Sequence, residues 1–382
     1  MKLIKCPHCN EETDKSAKFC QHCGQKIKKK RNYSVLFTFV ITTLLTTAVC
    51  SLSFFYIYDN YLIDLKDVIV ETEVVVTDEG ISDAVSKVYD AVVTVYSYQN
   101  DTLYSTGSGF VFDSDDEYGY ILTNAHVIDG ATSTKVMFTD KNEVDAEIIG
   151  YDTISDIAVL KVDIEHVLLI ASLGDSTDML VGDTTFAVGA PLDSSTYSWT
   201  VTRGIISGVD RLVEVEVDSS YIIMNVMQTD TAINSGNSGG PLCNSNGEII
   251  GITNMKLVSS DSSIEGMGFA IPIETALEYA NNFIDEVPIT RPFLGVATYD
   301  VSTLKNNGIY IDSVTDSSPA DLSGMQKGDY ITEVNGEIVK TSSYLKYELY
   351  KYDVGEEITI TILRDDEEIV LEVVLGSQNI VS

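Results

Sequence analysis

The longest apolar stretch of the chain covers residues 35–57, where only Ser, Thr, Tyr and one Cys interrupt aliphatic and Phe side chains. As a helix this stretch would be roughly 34 Å long, which is enough to cross the hydrocarbon layer of a membrane. A cleaved signal peptide or a buried helix is the alternative. A signal peptide, however, has a shorter apolar core and ends at a small-residue cleavage site. The pattern therefore predicts a retained transmembrane helix.

Charges on the two sides of this stretch predict its orientation. Five basic residues lie between Lys26 and Arg31, and five acidic residues lie between Asp59 and Glu73. Because basic residues are retained on the cytoplasmic side, we expect a cytoplasmic N-terminus and an extracytoplasmic remainder. The chain would then be a single-pass protein of the cell membrane, with a basic juxtamembrane segment at 27–34, a transmembrane helix at 35–57 and a stalk at 58–80.

From residue 81 onward the apolar positions form short alternating segments. Ile81, Val85 and Val88 have the spacing of one face of a short helix. Strands are predicted at residues 91–98, 108–112, 120–123, 134–138, 143–151, 158–162, 184–188, 203–209, 222–228 and 248–253. Many short strands with little helix between them are typical of antiparallel barrels or a sandwich. The fold class is therefore expected to be mainly β.

The net charge of −34 is unevenly distributed. Residues 1–31 hold nine basic and three acidic side chains, and residues 32–58 hold none, so 15 basic and 55 acidic side chains follow residue 58. Such an excess of negative charge argues against nucleic acid, or an anionic lipid surface, as a partner of that part.

Four of the six cysteines lie within the first 23 residues, as two Cys-x-x-Cys pairs separated by ten residues: Cys6, Cys9, Cys20 and Cys23. Two such pairs can supply four thiolates to one tetrahedral ion, and closed four-cysteine sites commonly hold structural zinc. A redox pair or a fortuitous cluster is the alternative. Residues 1–26 resemble the small zinc ribbons found at the start of many bacterial membrane proteins. We expect a structural Zn²⁺ there and no cofactor for catalysis.

The glycine-rich stretch at 236–242 suggests a nucleophile. A serine flanked by glycines can occupy a sharp turn, with its Oγ exposed and backbone N–H groups converging beside it. The chain has four histidines, and two of them lie within the cysteine pairs. A base for Ser238 would therefore be His126, where a predicted strand meets a small-residue turn, or His166. Composition cannot select an orienting acid among 58 acidic residues.

Three stretches resemble, in order, the catalytic blocks of the HtrA/Deg serine proteases: residues 123–128, 155–161 and 229–242. This resemblance covers about residues 81–382 and implies a chymotrypsin-like double β-barrel at 81–284. It implies His126 as general base, Asp156 as its orienting acid and Ser238 as nucleophile. The oxyanion hole would use the N–H groups of Gly236 and Ser238, with Asn237 contributing to the loop. Substrate contacts are implied for Ile233 and residues near Met255 in the S1 pocket, and for Phe269 in the cleft-lining segment 267–272.

The pattern restarts after residue 291. Pro292 to Val296, the Ser-Pro-Ala at 318–320, the Gly-Asp at 328–329 and the Asn-Gly at 335–336 resemble the PDZ domain of the same family, over residues 291–379. The resemblance implies that Phe293, Leu294, Gly295 and Val296 bind a peptide carboxylate and that the next strand edge pairs with the peptide backbone. A helix at 343–350 and strands at 357–364 and 368–375 are predicted. Glycines that merely close turns are the alternative.

Together these features predict a membrane-anchored serine endopeptidase that cleaves unfolded or misfolded polypeptides outside the cytoplasm. The PDZ domain would bind peptide C-termini. The family resemblance also implies a role in protein quality control and a homotrimer. A catalytically idle chaperone or binding protein with a protease fold is the alternative.

Overall fold

A computed structural model describes residues 2–28, 34–57, 80–190, 199–217, 220–234, 236–254, 266–302 and 307–379. These residues belong to two units, Met1–Thr77 and Asp78–Ser382. Most of the juxtamembrane segment, almost all of the stalk, and Met255 in the expected S1 pocket lie outside the described residues.

The first unit has a hairpin and a long helix. Strands β1 (Leu3–Lys5) and β2 (Glu12–Asp14) pair antiparallel. Helix α1 (Ser34–Ile57) contains no charged residue, Pro or Gly. The hydroxyl groups of Thr46 and Thr47 donate to carbonyls one turn earlier, so these polar groups are satisfied within the helix. Across the described residues, we find no helix whose length and apolarity together meet those of a membrane span.

The second unit begins with a closed six-stranded barrel, in the strand order β3-β4-β5-β8-β7-β6. Its strands are β3 (Val92–Gln99), β4 (Thr102–Ser114), β5 (Tyr118–Thr123), β6 (Ser133–Met137), β7 (Glu143–Asp152) and β8 (Ile157–Asp163). Alternate side chains such as Val93, Val95, Val111 and Ile121 fill its interior. The apolar segments in the sequence therefore predicted these strands correctly, because alternate side chains of each strand fill the barrel.

A second closed barrel follows, in the strand order β10-β11-β14-β13-β12-β9. Its strands are β9 (Thr184–Gly189), β10 (Thr200–Val217), β11 (Ser220–Thr229), β12 (Pro241–Asn244), β13 (Ile249–Asn254) and β14 (Gly268–Pro272). The strands β12 and β14 were not predicted, because nearly all their residues are buried and so show no alternation. Strands β10 and β11 form a long hairpin that extends beyond the barrel toward residues 217–220.

Three helices accompany the barrels: α2 (Ser82–Ser86), α3 (Ala125–Ile128) and α4 (Ile273–Ile284). Helix α4 was not predicted, and it buries Ile273, Ala276 and Ala280 against the core. Its last turn lies so close to β7 that a Cβ built on Gly150 would be 2.3 Å from the Phe283 ring. Glycine at 150 therefore allows α4 to close this side of the first barrel.

The C-terminal part has a six-stranded sheet, a two-stranded sheet and two helices. The sheet order is β16-β17-β18-β20-β21, β19 pairs with β18, and β15 pairs with β22. The elements are β15 (Thr290–Phe293), β16 (Val296–Ser302), β17 (Asn307–Val314), α5 (Pro319–Ser323), β18 (Tyr330–Val334), β19 (Glu337–Ile338), α6 (Ser342–Leu349), β20 (Glu357–Arg364), β21 (Glu367–Val374) and β22 (Gly376–Asn379). The predicted helix and closing hairpin are confirmed. The Thr341 hydroxyl accepts from the Tyr344 N–H and so caps α6.

A buried ion pair joins this C-terminal part to the first barrel. Arg291 of β15 donates from Nη2 to Oδ2 of Asp152, at the end of β7, over 2.7 Å, and both side chains are about 5% exposed or less. The rings of Tyr279 and Tyr350 lie 6.0 and 5.6 Å from the guanidinium carbon. The Asp152 carboxylate also accepts from the Ser155 N–H at 2.7 Å. The pair therefore holds the turn between β7 and β8 as well as the domain contact.

Replacing Asp152 by Asn is expected to lower the free energy of unfolding by about 3–5 kcal/mol, because Arg291 would remain buried without its counter-charge. Denaturation followed by the fluorescence of Trp199, the single tryptophan, measures this change. Lys135→Gln is the matched control, since Lys135 pairs with acids at the surface and should change stability by less than about 1 kcal/mol. Equal effects of the two substitutions would contradict the importance of the buried pair.

Candidate active site and peptide groove

The end of β5 meets the start of β8 and brings a histidine and an aspartate together. Thr123 pairs with Ala158 across these antiparallel strands, so the residues just outside the pairing face each other. His126 Nδ1 lies 2.7 Å from Asp156 Oδ2, and the His126 backbone N–H donates to Asp156 Oδ1 at 2.9 Å. The sheet register therefore places the predicted base beside the predicted acid.

Asp156 is 3% exposed and adopts a left-handed backbone conformation, with φ at +57°. Asp tolerates this region better than most residues. A buried carboxylate requires several hydrogen-bond donors. It receives a third from Asn254 Nδ2, which donates to Oδ2 at 2.7 Å. Both oxygens are thus satisfied, and one of them faces the imidazole.

Ser238 lies in the turn before β12, on the second barrel. Its Oγ is 2.9 Å from His126 Nε2, so the structure brings the three predicted catalytic residues into one hydrogen-bonded chain. The Asn237 N–H donates to the Asn234 carbonyl at 3.0 Å, and Gly236 has φ at +109°. A positive φ at that position favours glycine.

Ser108 of β4 holds the nucleophile turn from the first barrel. Its N–H donates to the Ser238 carbonyl at 2.9 Å, and its hydroxyl donates to the Gly236 carbonyl. Gly239 has φ at +82°, and a Cβ there would lie 2.3 Å from the Ser108 carbonyl oxygen. The turn can therefore approach β4 this closely only with glycine at 239.

Three buried polar residues of this site were missed by the sequence analysis: Ser108, Asn124 and Asn254. Asn254 ends β13, far along the chain from Asp156. Asn124 accepts from Ser238 Oγ at 3.2 Å and donates to the Asp156 carbonyl at 3.0 Å. Asn124 lies in the family-like stretch at 123–128. Its contact with Ser238, more than a hundred positions away, leaves no periodic signal in the sequence.

Two residues expected to contact substrate, Ile233 and Phe269, pack against different parts of the second barrel. A Cβ built on Gly268 of β14 would lie 2.6 Å from Ile233 Cγ1, so Ile233 packs against this strand. Phe269 is 8% exposed and packs in an apolar cluster with Val215, Ile222 and Val226. Its side chain is thus part of the packing between β14 and the long hairpin. The substrate-binding roles of Ile233 and Phe269 stay predictions.

The four residues expected to bind a peptide carboxylate, Phe293 to Val296, line a cavity of about 470 Å³. Leu345 and Leu349 of α6 form another wall. Gly295 has φ at +90°, and a Cβ there would lie 2.2 Å from that of Ser318, so this turn also requires glycine. The first barrel adds Thr153 and Ile154, and the long hairpin adds Val217, Ser220 and Ile222.

The four N-terminal cysteines form a separate cluster in the first unit. Their sulfurs lie within 4.8 Å of one another, with Cys6 to Cys23 at 3.8 Å and Cys9 to Cys20 at 3.6 Å. A disulfide is about 2.05 Å long, whereas a tetrahedral ion with zinc–sulfur bonds of about 2.3 Å gives sulfur–sulfur edges of about 3.8 Å. Backbone N–H groups of Cys23 and His22 donate to Cys20 and lower the pKa of its thiol to about 6. The donor set and its spacing fit zinc.

Comparisons with known proteins agree with this arrangement. A family model for the trypsin-like peptidase domain matches residues 107–252, and one for the PDZ domain matches residues 292–375. The HtrA-type protease AlgW, solved with a decapeptide, superposes with a TM-score of 0.63 at 28% identity, over 78% of this chain and 99% of that one. The expected protease barrels and PDZ domain are thereby confirmed.

Two relatives from other bacteria are both named Do-like serine protease HtrA. The Do-like serine protease HtrA of Bacillus subtilis (strain 168) is 38% identical over 294 residues, which are 73% of this chain and 65% of that protein. The Do-like serine protease HtrA of Lactobacillus helveticus is 40% identical over 287 residues, which are 71% of this chain and 68% of that protein. The chain thus spans about two thirds of the length of these relatives. With both domains matched in the same order, the chain belongs to the HtrA family of Do-like serine proteases.

Proposed function

We propose that this protein is a serine endopeptidase that cleaves unfolded or misfolded polypeptides, with Ser238, His126 and Asp156 as its catalytic residues. The observation that carries the proposal is the continuous hydrogen-bond chain from Ser238 Oγ to His126 Nε2 at 2.9 Å and from His126 Nδ1 to Asp156 Oδ2 at 2.7 Å. A nucleophile, a base and an orienting acid at these separations are the arrangement that acyl transfer by a serine hydroxyl requires.

In the first half of the reaction, Ser238 Oγ forms a bond to the scissile carbonyl carbon while its proton passes to His126 Nε2. The Asp156 carboxylate holds Nδ1–H and stabilises the imidazolium that forms. The proposed oxyanion hole consists of the Gly236 and Ser238 N–H groups, with Asn237 shaping the turn. The imidazolium then gives its proton to the departing amine nitrogen. A water, deprotonated by His126, hydrolyses the acyl-enzyme.

A catalytically idle chaperone with a protease fold is the other candidate. An idle protein has no reason to keep a carboxylate buried beside the histidine, because burial of a charge costs stability unless it is paired. The carboxylate of Asp156 is instead supported by three donors, one of which is the imidazole. We therefore favour the enzyme.

Substitution of either Ser238 or His126 by Ala is expected to lower peptide hydrolysis by at least about 10³-fold. Both variants should also lose labelling by a fluorophosphonate probe. His166→Ala is the matched control, because His166 faces Asn142 at the barrel surface, and it should label like the wild type. Cleavage of an unfolded substrate that is equal in Ser238→Ala and in the wild type would rule out the protease assignment.

We also propose that the groove formed by residues 293–296 and α6 binds peptide C-termini. Its walls include Leu294, Val296, Leu345 and Leu349, so an apolar final side chain fits this cavity. The proposal is supported by the positive φ of Gly295, which turns the chain tightly at the expected carboxylate position. The AlgW structure named above was solved with a decapeptide.

A peptide that ends in valine with a free carboxylate should have a dissociation constant at least about tenfold lower than that of the same peptide with an amidated end. The reason is that a hydrogen bond to a charged group contributes about 1.5–3 kcal/mol. Fluorescence anisotropy with the two labelled peptides measures this ratio. Equal affinities would show that the carboxylate is not what the groove recognises.

The N-terminal cysteines are proposed to bind one structural Zn²⁺ through Cys6, Cys9, Cys20 and Cys23. The ion would supply folding energy to a segment too short to bury a core of its own. Their sulfur spacing supports this proposal.

Purified protein should contain one zinc per chain by plasma mass spectrometry, and Cys6→Ser should lower this content by at least about half, because a closed four-cysteine site loses a ligand. Cys50→Ser is the control and should leave the zinc content unchanged, since Cys50 lies in α1, away from the cluster in sequence. Full-length protein without zinc would count against the site.

A membrane anchor at 35–57, a cytoplasmic N-terminus and extracytoplasmic protease and PDZ domains remain part of the proposal. They rest on the sequence: an uncharged stretch of 23 residues with basic residues before it and acidic residues after it. The homotrimer and the role in protein quality control rest on the family alone. Alkaline extraction of membranes tests the anchor, and mass photometry tests the trimer.

A further inference from the structure

We propose that Asn124 is a positioning residue that fixes the nucleophile relative to the acid across the two barrels. This inference rests on the proposed endopeptidase function. Asn124 is completely buried and follows directly on β5, two residues before His126. Its side chain contacts both ends of the catalytic chain, since Oδ1 accepts from Ser238 Oγ at 3.2 Å and Nδ2 donates to the Asp156 carbonyl at 3.0 Å.

The orientation of the Asn124 amide follows from the chemistry of its partners. The Asp156 carbonyl oxygen can only accept, so the amide group that faces it must be the NH₂. The amide oxygen therefore faces Ser238, whose hydroxyl is the donor to it at 3.2 Å. One planar group thus links the nucleophile of the second barrel to the backbone of the acid in the first.

The side chain of Asn124 does not cap the helix that follows it, although asparagine is a common capping residue. Asn124 occupies the N-cap position of α3 with extended backbone angles, φ −82° and ψ 145°, yet its side chain makes no capping hydrogen bond. Asp156 serves the start of α3 instead: its carbonyl accepts from the Ala125 N–H at 3.2 Å, and its Oδ1 accepts from the His126 N–H at 2.9 Å. The side chain of Asn124 is therefore used for the catalytic chain and not for the helix.

The two contacts of the serine hydroxyl differ in length, which explains how Asn124 can hold Ser238 without disabling it. A hydroxyl has one hydrogen to donate. The contact of Oγ with His126 Nε2 is 2.9 Å and that with Asn124 Oδ1 is 3.2 Å, so the shorter contact leads to the base. Asn124 therefore acts on the hydroxyl before proton transfer, because an Oγ that has given its proton to Nε2 has none left to donate to Oδ1.

The test compares Asn124→Leu and Asn124→Ala with the wild-type full-length chain. Leucine has a similar branched shape without hydrogen bonds, and alanine leaves a small cavity, so the pair separates hydrogen bonding from packing. We expect kcat on a fluorogenic peptide to fall about 10- to 100-fold in both variants with KM within about twofold, because displacement of a reacting group by about 1 Å costs about 10²-fold. The rate of fluorophosphonate labelling should fall in parallel.

Asn244→Leu is the matched control, because it removes an Asn side chain at the end of β12, outside the site, that donates to the Glu248 carboxylate and accepts from the Asn246 and Glu248 N–H groups. It should leave kcat and labelling unchanged. If the wild type is active and the kcat of Asn124→Leu lies within twofold of the wild-type kcat, this inference is overturned and the proposed function is not. The inference is also overturned if Asn124→Leu restores the kcat that Asn124→Ala loses, or if KM rises as kcat falls. A wild-type chain that neither cleaves nor labels would overturn the proposed function together with it.

Discussion

The buried carboxylate of Asp156 is the interaction on which the rest of the site depends. A charge removed from water is tolerated only where donors surround it, and here the donors come from separate parts of the chain. The His126 backbone and ring supply two, and Asn254 of the second barrel supplies the third. Satisfying one charge therefore orients the imidazole and also draws the two barrels together along the line where Ser238 lies.

The short turn between β7 and β8 connects Asp156 to the C-terminal domain. Asp152 at its beginning is paired with Arg291 of the C-terminal domain and accepts the Ser155 N–H, one residue before Asp156. Ile154 in the middle of the same turn lines the proposed peptide groove. One turn of the chain thus carries the interdomain ion pair, a wall of the groove and the proposed catalytic acid.

Much of this architecture could be predicted from residue patterns. Alternation in the segment 143–151 predicted a strand whose acidic side chains are exposed on one face. The apolar segment 158–162 predicted a strand that is buried on both faces. The small number of histidines left His126 or His166 as the base, and the family resemblance named Asp156. Helix α4 was missed although Ile273, Ala276 and Ala280 recur at helical spacing. The short strands β12 and β14 were missed because nearly all their residues are buried and so do not alternate.

The sequence by itself determined which residue types were present for chemistry and the order in which they follow along the chain: the glycine-rich turn around Ser238, the histidine and the paired cysteines. Only the tertiary structure decided which buried polar groups support them. Ser108, Asn124 and Asn254 are ordinary residues whose partners lie up to about 130 positions away. Their roles arise because a buried donor or acceptor must find a partner in three dimensions, and local sequence carries no record of that partner.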